Sequence, residues 1–255
     1  MGRSSWKIRI FIGLAIVAFA FIKRCSSKEE NRYTGRVQTI NMSAEQEIAI
    51  GLQSTPEIAQ QYGGLYPDER LQSYVDKVGN KLVQNSMARE TPYQYDFHLL
   101  ADDQTINAFA LPGGPVFITY ALFKQLNEAQ LAGVLGHEIG HVIGRHSAER
   151  IAEGEFWQTL STGASVGVDL GGLVGGIGQN TLLTNGRDDE LESDDLGVLF
   201  MIRSGYQPEE MIKVMEILKA AAGPNRAPEF QSTHPDPENR IEKIRESIEK
   251  YSSQL

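Results

Sequence analysis

His137-Glu138-Ile139-Gly140-His141 sets two imidazoles four residues apart with a carboxylate between them. On a helix, positions i and i+4 share a face, so both rings can reach one metal ion. Glu138 stands a fraction of a turn away, beside the position that such an ion leaves open to solvent. Zinc held in this way lowers the pKa of its water towards about 7, and a nearby carboxylate can take the proton as the water attacks a carbonyl. The chemistry implied is hydrolysis of an amide.

Two histidines are too few for a catalytic zinc site, which takes three protein ligands. The acidic run from Arg187 to Asp195 is the place to seek the third. Glu190 and Asp194 are spaced i, i+4 and share a helix face, with Glu192 turned about 200° from Glu190. Glu190 is the expected third ligand. Asp194, one turn on, is the expected acceptor for the free N–H of a ligating imidazole, that of His137. The alternative is an acidic helix start whose side chains are merely solvated, where negative charge is favourable in any case.

The other histidines sort by context. His146 is nine residues after His137, about 180° around a continuous helix, which predicts a surface or supporting position. His98 falls in the strand-like alternation Tyr93 to Leu100 and reads as a half-buried strand residue. His234 lies in Ser232-Thr233-His234-Pro235-Asp236-Pro237, a loop stiffened by prolines before a final helix that begins near Glu238. Held there, it could donate to the oxyanion of a tetrahedral intermediate; a capping loop is the alternative.

The elements that must position these residues follow from local pattern. Asn127 to Ile151 reads as one helix, with Asn127 as N-cap, Gln130 three residues on, and an apolar stripe of Leu131, Val134, Leu135, Ile139, Val142 and Ile143. Gly133, Gly136, Gly140 and Gly144 each cost roughly 1 kcal/mol of helix propensity, so their repetition predicts close approach of another backbone. Helices are also expected from Ser43 to Gln53, capped by Ser43 and Gln46, and from Glu69 to Ser86. Phe109 to Leu111 and Val116 to Tyr120 read as short extended segments around a turn or bulge at Pro112-Gly113-Gly114-Pro115. They form either a core hairpin or a free strand edge to which a peptide could add.

A length of 255 residues, 41% of them apolar, permits one substantial domain. Before it, Ile10 to Ile22 is an uncharged apolar run flanked by Arg3, Lys7 and Arg9 on one side and Lys23 and Arg24 on the other. It is short of the roughly 20 residues of a span, although the flanking cations could snorkel. With no Ala-x-Ala site after it, an uncleaved signal-anchor over residues 1–25 is expected, followed by a polar tether over 26–41. Lys23 and Arg24 argue against lipidation of Cys25, the single cysteine, which also precludes an internal disulfide. Seven glycines interleaved with apolar residues between Gly154 and Gly186 suggest a lid, a membrane-facing loop or a plain connection. The formal net charge of −9 argues against nucleic acid as a partner.

These motifs together resemble the gluzincin metalloendopeptidases of the HtpX and CAAX-prenyl-protease family, and within it the small extracytoplasmic Oma-type and BepA-type proteases. The likeness runs from about Met42 to Ser252. It rests on Asn107-Ala108-Phe109-Ala110-Leu111-Pro112-Gly113-Gly114, the His137 to His141 motif, Glu190-Leu191-Glu192-Ser193-Asp194, and His234-Pro235 with Arg240 downstream. The resemblance implies one Zn²⁺ per chain held by His137, His141 and Glu190, with Glu138 as general base. It implies a transition-state or gating role for His234, supported by Arg240, and a substrate cradle at Asn107, Ala108 and Phe109. Ser193 stands where relatives usually carry Ala. The implied fold is α+β: a mainly helical, zincin-like domain over 42–255 with a small β-sheet, behind an N-terminal membrane-anchor helix. The implied setting is quality control of unfolded or misassembled envelope proteins, with the catalytic domain on the periplasmic side of a bacterial membrane. A latent, metal-binding chaperone or scaffold is the competing function, with His234 as a fourth ligand.

Overall fold

A computed structural model of the chain describes residues 3–168, 186–221, 230, 234 and 239–253. In chain order the elements are α1 (Arg3–Ser26), β1 (Lys28–Glu30), β2 (Val37–Thr39), α2 (Ala44–Gln61), α3 (Glu69–Gln84), β3 (Asp96–Leu100), β4 (Ala108–Ala110), β5 (Pro115–Thr119), α4 (Tyr120–Phe123), α5 (Glu128–Ile143), α6 (His146–Val168), α7 (Arg187–Arg203), α8 (Glu210–Ala221) and α9 (Arg240–Ser252). The architecture is mainly helical with two small sheets. Two compact units divide it: Met1–Met42 with Ala148–Thr184, and Ser43–Ser147 with Asn185–Leu255.

The second unit is built around α5. Asn127 accepts from the Gln130 N–H at 2.9 Å and the Gln130 side chain takes the Asn127 N–H at 3.0 Å, the reciprocal cap that the sequence predicts. Every residue from Gln130 to Ile143 is buried, because α3, α7 and α8 pack on different sides of the helix. The expected single helix to Ile151 does not form. α5 ends at Ile143, Arg145 adopts φ +56°, and α6 starts afresh at His146. The Arg145 guanidinium donates to the Glu47 carboxylate through Nε at 2.8 Å and Nη2 at 2.7 Å, and Glu47 is buried. That paired charge holds a left-handed residue which local propensity disfavours by about 1–2 kcal/mol.

The glycines of α5 divide in two. A Cβ on Gly140 would lie 2.9 Å from the Ser193 Cα and 3.0 Å from its carbonyl oxygen, and one on Gly136 would lie 3.3 Å from the Gly197 Cα. These are backbone contacts with α7. Gly133 has only ordinary contacts, and Gly144 faces the ring of His146 rather than another backbone. So half of the expected close approaches are present, and both press α5 onto the helix that carries Glu190.

The sheet of this unit runs β3-β5-β4, with β5 parallel to β3 and antiparallel to β4. All five residues of β5 are buried, as suits its central place. β4 pairs with β5 on one side and has no described strand on the other. Between them Gly113 and Gly114 adopt φ +79° and +131°, and a Cβ on Gly113 would come within 2.3 Å of the Ile48 Cα. Only glycine admits α2 so close to this turn.

In the first unit β1 and β2 form an antiparallel hairpin, where a polar tether over 26–41 was expected. Asn31 Oδ1 accepts from the N–H groups of Tyr33 and Thr34, and Gly35 closes the turn at φ +74°. Arg36 and Gln38 then donate to Glu149 of α6 at 3.0 and 3.1 Å. Lys-Glu-Glu and Val-Gln-Thr carry no alternation, which is why the pattern gave no strand. α1 contains the whole run Ile10 to Ile22 and exposes Phe11, Leu14, Phe19 and Ile22. No described helix is long and apolar enough to cross a membrane: charged Arg9 and Lys23 close the uncharged run well short of the roughly 20 residues required. Of the glycine-rich stretch from Gly154 to Gly186, residues 154–168 continue α6 rather than forming a loop, and 169–185 lie outside the described residues; so do Glu238 and the residues beside His234, and the final helix is described from Arg240.

Replacing Gly140 by Ala restores about 1 kcal/mol of helix propensity but drives a Cβ into the Ser193 backbone, where overpacking costs about 1–3 kcal/mol. A net loss of stability is therefore expected for Gly140→Ala in urea unfolding, and a gain would disprove the packing constraint.

Candidate metal centre

His137 and His141 leave the same face of α5 and meet α7 where Gly140 lets it approach. His137 Nε2 lies 3.0 Å from His141 Nε2 and 3.4 Å from Glu190 Oε2, while His141 Nε2 lies 3.4 Å from Glu190 Oε1. His234 Nδ1 joins them, 3.0 Å from Glu190 Oε1 and 3.4 Å from His137 Nε2. One ligand atom from each of these four buried residues falls within 4.8 Å of the others. An ion bound tetrahedrally at about 2.0–2.1 Å separates its ligand atoms by about 3.3 Å, and the shorter separations here, 3.0 to 3.4 Å, are of that order.

The far nitrogens of the two α5 rings are engaged elsewhere. His137 Nδ1 meets Asp194 Oδ1 at 2.8 Å, and His141 Nδ1 meets His146 Nδ1 at 2.8 Å. Arg240, from α9, donates to both oxygens of Asp194, from Nε at 2.6 Å and Nη2 at 3.0 Å, and reaches within 3.3 Å of Glu190 Oε2. Glu138 differs from all of these. It is fully buried, and neither of its carboxylate oxygens has a hydrogen-bond partner among the described residues; His234 Nε2 is 3.7 Å from Oε1.

Burial raises the pKa of Glu138 despite the opposing charges of His234 and His137. Burial also opposes ionisation of Glu190 and Asp194, but is outweighed: by His234, His137 and His141 at Glu190, and by Arg240 and His137 at Asp194, so both lie below the usual carboxylate range. His141 is held well below its ordinary value by burial. At His137 burial acts the same way, but Asp194 and Glu190 overcome it and bring the ring to about 10. Three buried carboxylates, Glu138, Glu190 and Asp194, thus face the guanidinium of Arg240 and, without a metal, a protonated His137. A divalent cation among the four ligand atoms removes the remaining imbalance, and an unpartnered buried carboxylate beside it gains a neighbour to act on. The residues fit a metal ion.

The strand motif sits differently from the ligands. Asn107 and Ala108 are buried, with the Asn107 N–H on Thr119 Oγ1 at 3.1 Å, whereas Phe109 is half-buried and stacked on Phe117. Asn107 spends both its N–H and its carbonyl on Thr119, so a peptide on the free edge of β4 would meet backbone only from Ala108 onward. His98 is a half-buried strand residue stacked on Phe117, as its alternation predicts. His146 is fully buried, on His141, which follows from the break at Arg145 and corrects the 180° estimate for a continuous helix. Phe230 carries no sequence signal: its ring stacks on His234 at 4.4 Å, and its carbonyl accepts the His234 N–H at 2.7 Å.

A helix bearing two histidines, a second helix setting a carboxylate beside them, and a buried glutamate with no hydrogen-bond partner among the described residues are the arrangement of a metallopeptidase. Residues 69–248 match the model of peptidase family M48, and the chain belongs to that family. It is 34% identical over 218 residues to the beta-barrel assembly-enhancing protease of Yersinia pestis, covering 80% of this chain and 44% of that protein. Over 191 residues it is 34% identical to the Escherichia coli K12 protein of the same name, covering 69% and 39%. It is 31% identical over 216 residues to the mitochondrial metalloendopeptidase OMA1 of Schizosaccharomyces pombe, covering 81% and 62%. The chain thus spans about two fifths of the length of the bacterial relatives.

Removing the guanidinium leaves Asp194 and Glu190 short of a compensating charge in a buried site. Arg240→Met is expected to cost about 3–5 kcal/mol at neutral pH. Asp194 has a folded pKa below its unfolded value of about 3.9, so the stability it contributes is present above that pH and is lost as pH falls through the folded value. The deficit of Arg240→Met should accordingly narrow in urea unfolding below about pH 4; a deficit independent of pH would contradict the assignment.

Proposed function

We propose that this chain is a zinc endopeptidase that cleaves unfolded or misassembled proteins at a membrane. The observation that carries the reading is the convergence of His137, His141, Glu190 and His234 beside a buried glutamate that has no hydrogen-bond partner among the described residues. His137, His141 and Glu190 would hold the ion. When bound, zinc supplies a Lewis acid for the peptide carbonyl and a water acidic enough to be deprotonated near neutral pH. Glu138 is the base: burial raises its affinity for a proton, so it can take one from the attacking water and pass it to the leaving amine. Asp194 fixes the orientation of the His137 ring, and Arg240 keeps Asp194 ionised. The free edge of β4 at Ala108 and Phe109, held in register by Asn107 through its two backbone bonds to Thr119, would accept substrate as an added strand, using backbone hydrogen bonds that do not depend on sequence.

His234 has two roles to choose between. Its Nδ1 stands among the ligand atoms, at the separation of a fourth ligand, which favours a latent site closed by His234 over a donor waiting at the rim. Displacing it opens the fourth position. The relatives' names, a beta-barrel assembly-enhancing protease and a mitochondrial metalloendopeptidase, support a substrate drawn from membrane or envelope proteins. The exposed apolar side chains of α1, between Lys7 and Arg9 at one end and Lys23 and Arg24 at the other, support attachment to a membrane through that helix.

With casein as unfolded substrate, Glu138→Gln should retain about one zinc per chain and lose cleavage by about 10²–10⁴-fold. Full zinc with undiminished cleavage would remove Glu138 from its role; zinc in the parent without cleavage would favour the scaffold. His234→Ala should raise basal cleavage if the imidazole closes the site, and a fall instead would make it an oxyanion donor.

A further inference from the structure

We propose that His146 is a positioning residue for the metal ligand His141, joining it to the carboxylate of Glu192. His146 is fully buried; its Nδ1 lies 2.8 Å from His141 Nδ1 and its Nε2 lies 2.8 Å from Glu192 Oε2. Ser193 Oγ is 3.4 Å from the same Nδ1, and Asp189 Oδ1 is 3.8 Å from Nε2. The inference rests on the metal reading of the site, since that reading fixes every proton in the chain of contacts. A ring ligated through Nε2 carries its proton on Nδ1. His141 must then donate to His146 Nδ1, which leaves the His146 proton on Nε2, donated to the Glu192 carboxylate. Each contact holds one proton, and neither ring can turn without losing both of its bonds.

The backbone is shaped for this contact. On a continuous helix, a residue five positions after His141 would stand about 140° around the axis from it. The left-handed Arg145 and the restart of the helix at His146 bring the ring back beneath His141 instead. Gly144 makes room for it: a Cβ there would lie 2.4 Å from His146 Nε2. The two α5 ligands are thereby braced by different routes. His137 bonds a carboxylate of α7 directly, at Asp194, and His141 reaches one of the same helix through an imidazole, at Glu192. The neutral intermediary keeps a second full charge out of contact with the His141 ring while still fixing its tautomer.

The test is zinc affinity of the full chain, measured by competition with a chromogenic chelator for the parent, His146→Phe, Glu192→Gln and the double variant. His146→Phe keeps a ring in the space but has no nitrogen. It should bind zinc about 10–100-fold more weakly, while Glu192→Gln, whose amide oxygen still accepts, loses less. The double variant should be no weaker than His146→Phe alone, because Glu192 acts through His146. Parental affinity in His146→Phe, or losses that simply add in the double variant, would overturn the relay, as would a fall in apo-protein melting temperature with affinity unchanged. If His146→Phe does not fold, Glu192→Leu decides, since Glu192 is partly exposed: weakened binding supports the relay and parental binding overturns it. A parent that binds no zinc sinks the metal reading and the relay together, whereas a zinc-binding parent matched by its variants sinks the relay alone.

Discussion

Everything in the site depends on how closely α5 and α7 can approach. Gly136, Gly140 and Gly197 bring the two backbones into contact, and a methyl group at any of the three would meet main-chain atoms of the other helix. Only at that separation can Glu190 of one helix stand 3.4 Å from both imidazoles of the other. Helix propensity is given up at these positions, and the return is a set of ligand atoms at metal-binding distance.

Such an approach buries charge, and the surroundings are arranged to tolerate it. Asp194 and Glu190 share Arg240, the far nitrogens of His137 and His141 meet Asp194 and His146, and neither oxygen of Glu138 has a hydrogen-bond partner among the described residues. A structural site would have satisfied that carboxylate. Leaving it bare costs stability in the folded protein, and the same burial raises its affinity for a proton. His234, buried and stacked on Phe230, faces both Glu190 and Glu138.

The first unit has its own internal logic. α1 and α6 meet at Gly13 and Gly163, where a Cβ on Gly13 would fall 2.6 Å from the Gly163 carbonyl oxygen, and Phe21 packs edge-on against Phe156. Lys23 pairs with Glu155 at 2.7 Å, and Arg24 with Glu153. Among the described residues, α1 also exposes an apolar set, Phe11, Leu14, Phe19 and Ile22.

The ligand-bearing residues were legible because their chemistry is periodic. His137 with His141, and Glu190 with Asp194, are one helical turn apart, and a helix converts that spacing into a shared face whatever surrounds it. The capping pairs at Ser43 and Asn127 were legible for the same local reason. What only the tertiary structure decided lies where a long-range contact overrides local preference. The Glu47 carboxylate holds Arg145 left-handed and ends α5 early, so His146, placed by helical arithmetic on the far side, instead touches His141. The hairpin over residues 28–39, the stacking of Phe230 on His234, and the pairing of Arg240 with Asp194 likewise join residues whose separation in sequence carries no period to read. The sequence by itself determined which atoms could bind a metal and which carboxylate could act as base; the fold decided how those atoms are oriented, charged and closed off, because orientation and desolvation come from neighbours that the chain brings in from elsewhere.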